Sequence, residues 1–369
     1  MKTLLIMAMV AWMSANSASA GDQDNAAVSA ARNGYTAVVW EDDRDTATPE
    51  DPVHSDVWIR LFHNGVSQYE KKISTGGTGN WRHVQPDVAV RDDGTAVVVW
   101  AEDPDGNGFY NIAVRTVSAS GAVSGSGTAN ANSDGQQFEP AVAIDPDGPG
   151  FAVVWEDKQS TSAPTVRAAG FASISSKTYE VQVNAAGGTH QDPDVAMGAA
   201  GNAIIVWEAD GDVGRKILTP SGGVKLAQGV ANSVTAGVQN RPAVAANFNG
   251  DFAVAWDGGA RSFTATGVAG SADVAVAGTD PQIGIDDQRN VVVTTNVSND
   301  IYSQGLNPDG TTAGRLPRQL TSQATAGKQD EPALGVDPWG QLTVVYTDDN
   351  DGNGFDQVIL GTGLTNSTW

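Results

Sequence analysis

Two stretches of this 369-residue chain gather oxygen-bearing side chains at a spacing that suits a hard cation. One reads DPDGNGFYN, from Asp103 to Asn111; the other reads DNDGNGFDQ, from Asp349 to Gln357. Side-chain oxygens fall at alternate places and at the end: Asp103, Asp105, Asn107 and Asn111, then Asp349, Asp351, Asn353 and Gln357. Gly108 and Gly354 stand where a sharp turn is needed, and Phe109 and Phe355 follow with a main-chain carbonyl to offer. Ca²⁺ takes about six to eight oxygens, so the pattern predicts a calcium loop in each place. Asp, Asn and Gly also make good turns with no ion at all, and that reading competes.

A second polar set stands just before the prolines: Gln85, Glu139, Asp192, Arg241, Asp280 and Glu331. These residues either form a cation or substrate site or hydrogen-bond a neighbouring unit's backbone as a repeated bracket. Their recurrence favours the bracket, because residues of a catalytic site take different roles. Three places before the prolines stand His83, Gln137, His190, Gln239 and Gln329, with Gly278 in the shortest unit. A slot that alternates between His and Gln reads as structural hydrogen bonding. His54 and His63 lie in and just after a long insertion and share no ligand spacing. No nucleophile elbow, zinc motif or phosphate loop is present, and no residue is assigned as catalytic on sequence.

The elements that carry these residues are copies of one pattern. QPDVAVRDDGTAVVVWAED, Gln85 to Asp103, recurs from Glu139, Asp192, Arg241, Asp280 and Glu331, and a copy with Ala26 for the proline begins at Asn25. Subtracting positions, Pro86, Pro140, Pro193, Pro242, Pro281 and Pro332 stand 54, 53, 49, 39 and 51 residues apart. Alternating apolar residues, a Gly turn and then a continuous apolar run give strands of the two burial types, at a period typical of propeller blades. The expectation is an all-β, seven-bladed β-propeller. In the unit at Pro86 the strands are expected at Asp87–Val90, Ala96–Ala101, Tyr110–Val117 and Ser126–Ala131. The last unit runs out early, so blade seven either has three strands or takes a short fourth one from residues near Trp369. Trp40, Trp100, Trp155, Trp207 and Trp256, with Tyr346, fill one repeated place and read as packing between blades. Trp81 and Trp339 break the repeat and are the candidates for stacking on a sugar ring.

With a net charge of −22 the chain has no basic surface for nucleic acid. It has no cysteine, so stability must come from burial, ring closure or bound ions. Residues 1–20 read as a signal peptide: Lys2, the apolar run Leu4 to Met13, and Ala18-Ser19-Ala20 as a cleavage site. About ten apolar residues are too few to cross a bilayer, so no membrane insertion is expected. Residues 21–369 read as a single propeller domain, secreted or periplasmic.

The Asp103–Asn111 and Asp349–Gln357 loops resemble the calcium loops of integrin α-subunit propellers and the first half of an EF-hand loop. They depart from the EF-hand where Val114 and Leu360 replace its bidentate Glu. The repeated P-x-V-A…V-V-W-x-D pattern looks like that of large exported bacterial propeller proteins. The resemblance implies a calcium-stabilised scaffold and supplies no reaction. On these grounds the expected function is lectin-like or adhesin-like binding of a glycan or extracellular protein. The alternative is a polysaccharide hydrolase or lyase using channel-mouth acids such as Glu139 and Asp192, or the insertion histidines. An enzyme should show one cluster of unlike residues breaking the repeat; a lectin should show similar shallow pockets between blades.

Overall fold

The computed structural model describes residues 13–17, 21–44, 55–76, 82–103, 106–158, 163–313, 319–320, 327–349 and 356–364. Their 28 strands form seven four-stranded antiparallel sheets, with no helix among the described residues. The chain is a seven-bladed β-propeller. In blade two, strand a runs His83–Val90, strand b Ala96–Glu102, strand c Asn111–Val117 and strand d Val123–Thr128. These are the four expected strands, with the innermost one longer and the outermost one shifted towards its turn.

Burial follows the two apolar patterns. Ala96 through Ala101 are all fully buried, because blades on either side cover both faces of strand b. Strand d mostly faces water. The repeated indoles fill the gaps between blades. Trp100 packs against Val39, Ile59 and Leu61 of blade one. Trp155 packs on blade two, Trp207 on blade three, and Trp40 on Val345, Val358 and Leu360 of blade seven. Each such ring contributes about 2 kcal/mol from area alone. Blade six lacks the indole and has Thr295 in that place, with its hydroxyl donating to the Ala277 carbonyl at 2.9 Å. The backbone closes over the smaller side chain: a Cβ on Gly278 would lie 2.7 Å from that of Thr295. That is why the histidine-or-glutamine slot holds glycine there.

The residue before each proline, and Asn25 before Ala26, has a left-handed backbone, with φ between 48° and 57°. In every blade but the fifth, whose inner strand begins only at Ala243, the pair makes a bulge: in blade two the pairing skips from Val84 to Asp87. Side chains rarely adopt this conformation, at a cost of about 1–3 kcal/mol each, so the surroundings must impose it. They do so through the amide. Gln85 N donates to Glu41 Oε1 at 2.7 Å, Glu139 N to Gln85 Oε1 at 3.0 Å, and Asn25 N to Glu331 Oε2 at 2.7 Å. The bracket expected from the repeat is therefore present.

Blade seven differs from expectation. Its fourth strand comes from neither omission nor the residues near Trp369, which lie outside the described residues. Met13–Ser14 pairs antiparallel with Gln357–Leu364, through Met13 to Leu360 and Ser14 to Ile359. A ring closes most economically when one end of the chain completes the blade begun by the other.

The indole packing has a direct consequence. Trp100→Ala should lower unfolding free energy by about 3–5 kcal/mol in denaturant titration, since the site is closed on both sides and cannot collapse.

Candidate functional site

The residues before the prolines meet at one end of the axial channel. Asn25, Gln85, Glu139, Asp192, Arg241, Asp280 and Glu331 line a cavity of about 600 Å³ there. The a–b turns line a second cavity of about 630 Å³ at the other end, and Asp87 and Asp194 reach both. The second end is narrowed by Arg32 of blade one, whose guanidinium lies 3.6 Å from the ring centre of Phe248 in blade five. Trp339 is 70 % exposed, in the a–b turn next to Pro338, so it stands at this second end. It cannot stack on a sugar bound among the mouth carboxylates. Trp81 lies outside the described residues.

At the acidic mouth three carboxyls crowd together in one sector. Glu139, Asp192 and Glu156, the last on strand b of blade three (Phe151–Lys158), each present a carboxylate oxygen within 4.8 Å of the others. Burial pushes the Glu139 carboxyl up to about 8, and the Asp192 carboxylate beside it adds to the effect. Glu139 Oε2 is buried with no hydrogen-bond partner among the described residues. Burial first and Asp192 second raise Glu156 to about 7. Glu208 of the next blade is raised for the same two reasons. Deeper in the channel, burial holds Asp87 at about 6 and Asp194 at about 7, while their oxygens accept the Val142 and Val244 amides, each at 2.7 Å. Arg241 is the only cation of the mouth ring, and it is engaged by Asp280 at 3.0 Å and Asp257 at 3.4 Å.

A second trio lies between blades seven and one. Asp22, Asp24 and Asp356 also bring oxygens within 4.8 Å of one another. Burial and the mutual repulsion of these acids hold Asp24 at about 8 and Asp356 at about 7. None of the three stands out in the sequence. Asp356 lies inside the Asp349–Gln357 stretch, yet the spacing rule selects its neighbours. Asp22 shows its place only through register: Asp356 N donates to its Oδ1 at 2.8 Å, as Tyr110 N donates to Gln136 Oε1 at 3.2 Å in blade two.

The described part of the first candidate calcium loop folds around Asp103. This buried carboxylate accepts the Asn107 amide at 3.1 Å and the Gly108 amide at 2.8 Å. Asn107 Oδ1 accepts the Phe109 amide, and Asn111 Oδ1 accepts from Asn130 Nδ2. These are the hydrogen bonds of a turn-forming acid. Each Asp103 oxygen accepts one amide and keeps a second lone pair, so these bonds are compatible with a turn and with a bound cation alike. Asp105, Asp351, Asn353 and Phe355 lie outside the described residues; Asp349 and Gln357 flank them at the ends of their strands.

His83 and His190 are structural. His190 Nδ1 accepts from Trp207 Nε1 at 3.0 Å, and His83 is buried beside Ser55 and Glu102. Gln329 fills the same slot and donates to Asp348 at 3.0 Å. His63 is stacked on Tyr35 at the end of strand c of blade one, and His54 lies outside the described residues.

No protein-family model matches this chain, and no curated protein does. Solved structures match its fold. A protein of unknown function from Dyadobacter fermentans is 12 % identical, with 95 % of this chain and 97 % of that one covered and a TM-score of 0.57. An α-L-arabinofuranosidase from Fusarium graminearum, solved with an iminosugar inhibitor, is 14 % identical over 94 % of each chain, with a TM-score of 0.56. An α-L-arabinanase from Penicillium chrysogenum, solved with arabinobiose, is 12 % identical over 94 % and 95 %, with a TM-score of 0.54. At these identities the likeness establishes the propeller and nothing finer.

The raised carboxyls fix the sign of a pH effect. A carboxyl held at about 8 in the fold keeps its proton there but loses it near 4 in the unfolded chain. The folded state therefore binds more protons through this window, and stability falls as pH rises. Melting temperature should drop steadily from pH 5 to pH 8; a rise over that range would contradict the burial of these groups.

Proposed function

We propose that this protein hydrolyses glycosidic bonds at the acidic mouth of its channel. The observation that carries the reading is the Glu139–Glu156–Asp192 cluster, where three carboxyls crowd together around a bracket that is itself kept, both glutamates accepting the Asp192 amide. Glycosidases work with two carboxyl groups on either side of the scissile bond, one protonated and one ionised. Glu139, uncharged at neutral pH, is suited to protonate the departing glycosidic oxygen. Asp192 is suited to attack the anomeric carbon, forming a glycosyl ester and releasing the first product. Glu139, now a carboxylate, then takes a proton from water, whose oxygen displaces Asp192 from the sugar. Oxygens within 4.8 Å suit this double displacement, which keeps the anomeric configuration; inversion needs about 6.5–9.5 Å to admit a water.

The substrate is a neutral glycan on this reading, since a mouth so rich in acids repels a uronate chain. Solved neighbours that carry arabinobiose or an iminosugar support a carbohydrate on this fold, although the site and not the likeness makes the case. The lectin-like expectation has less behind it, because Trp339 stands at the far end of the channel and the mouth is not a set of equivalent pockets. Among the described residues no helix is long and apolar enough to cross a membrane.

Assays on neutral arabinans and related polysaccharides test the proposal. Turnover should fall about 10²–10⁴-fold in Glu139→Gln and in Asp192→Asn, with folding retained. The rate should decline as pH rises through about 8, where Glu139 loses its proton. Glycan binding without turnover would return the protein to the lectin-like reading.

Calcium at Asp103–Asn111 and Asp349–Gln357 is a separate proposal, resting on the paired sequence spacing alone. A bound ion would raise the melting temperature with free calcium by mass action. Identical melting in calcium and in excess chelator would leave both loops to turn chemistry.

A further inference from the structure

The segment that closes blade seven carries every device the chain uses elsewhere to seat an outermost strand. In blades two, three and four, strand d ends in a small apolar residue followed by asparagine: Ala129-Asn130, Val183-Asn184 and Ala231-Asn232. The apolar residue is fully buried in each, and its amide donates to strand c, to Ile112, Val166 and Val213 at 2.7–2.8 Å. Its carbonyl accepts a cation from the following blade: Lys177 of strand d to Ala129 at 2.6 Å, and from strand c Lys216 to Val183 at 2.6 Å and Arg261 to Ala231 at 3.0 Å. The residue after the asparagine is held by an acid or amide on strand d of that same following blade, as Ala131 is by Glu180 and Ala185 by Gln228.

Ala15-Asn16-Ser17 repeats all of this. Ala15 is fully buried among Val38, Trp40, Val345 and Val358. Its amide donates to Val358 at 2.7 Å, and its carbonyl accepts from Arg60 of blade one at 2.9 Å. Asn16 Nδ2 donates to Gln23 Oε1 at 2.7 Å, matching Asn130 to Gln137 at 3.3 Å. Ser17 Oγ donates to Glu70 of blade one at 2.8 Å. A leader with only an export role has no reason to reproduce four separate contacts of an internal repeat.

We infer that residues 13–17 are a structural strand which the folded protein keeps, and that cleavage after Ala20 would open the ring at blade seven. On this inference the cleavage expected after Ala20 would remove the closing strand. Without that strand, the last inner strand, Gln357–Leu364, becomes an exposed edge with unpaired backbone groups, a template for pairing with another chain. The connection through Asp22 and Asp24 to Asp356 also loses its anchor, since Asn16 holds Gln23 between those two acids.

Two measurements on the full-length chain decide the matter. In hydrogen exchange read by mass spectrometry, the Ala15 amide should be protected as strongly as that of Ala129; exchange at the rate of a free peptide would overturn the inference. In thermal melts, Asn16→Ala and Asn130→Ala should each lower the melting temperature by a similar amount, about 2–4 °C. A loss in Asn130→Ala with none in Asn16→Ala would show that the segment is not part of the fold, and a silent Asn16→Ala overturns the inference whatever its counterpart does.

Discussion

Everything in this molecule depends on keeping both faces of strand b dry. Runs such as Val97–Val98–Val99 leave no polar face for water, so each blade needs a neighbour on either side. An open row of blades would leave two such faces bare, and a ring leaves none. The indoles are the means of contact: each fills the wedge-shaped gap towards the preceding blade, where strands splay apart with distance from the axis. With no disulfide in the chain, this apolar contact and the closing of the circle carry the fold.

The same closure creates the site. Strands packed around an axis bring their first residues together at one mouth, and the left-handed backbone before each proline turns those residues so that one blade's side chain accepts the next blade's amide. Gln85 and Glu331 perform that task directly, while in blade one Glu41 takes the Gln85 amide and Asn25 holds Glu41. In blades three and four, however, the ring residues are acids, and Glu156 joins them from strand b. The arrangement settles the Asp192 amide as it settles others around the ring, and here it also crowds three carboxyls together. Protons are retained as a result, and a structural bracket acquires acid–base character. The second trio, at Asp22, Asp24 and Asp356, arises where the two ends of the chain meet, by the same crowding of acids.

Much of the architecture could be read from the sequence because repetition amplifies a weak signal. One alternating stretch is ambiguous, but seven copies, six with a Gly turn and five with an indole after the apolar run, admit few folds. The role of the pre-proline residues as brackets was legible for the same reason, as was the structural use of His83 and His190. The closing strand was not. Met13 and Ser14 lie in a stretch whose apolar and small residues also spell an export leader, and Asn16 gains meaning only beside Asn130, Asn184 and Asn232. Glu156 escaped notice because it follows a repeated tryptophan and looks like any acid at the end of strand b; its importance comes from which blade it belongs to. The spacing in Asp103–Asn111 was equally real, yet spacing alone does not separate a loop that binds an ion from a turn held by its own amides, two of which reach Asp103.

The central claim is that one carboxyl at the channel mouth keeps its proton at neutral pH because the ring buries it beside another acid. Infrared titration of the protein, with the Glu139 band assigned by difference from Glu139→Gln, observes that proton directly. The account predicts a protonated carboxyl band that persists through neutrality and disappears with a midpoint near 8. A midpoint in the ordinary carboxylate range near 4 would contradict it, and would leave the cluster as one more bracket among seven.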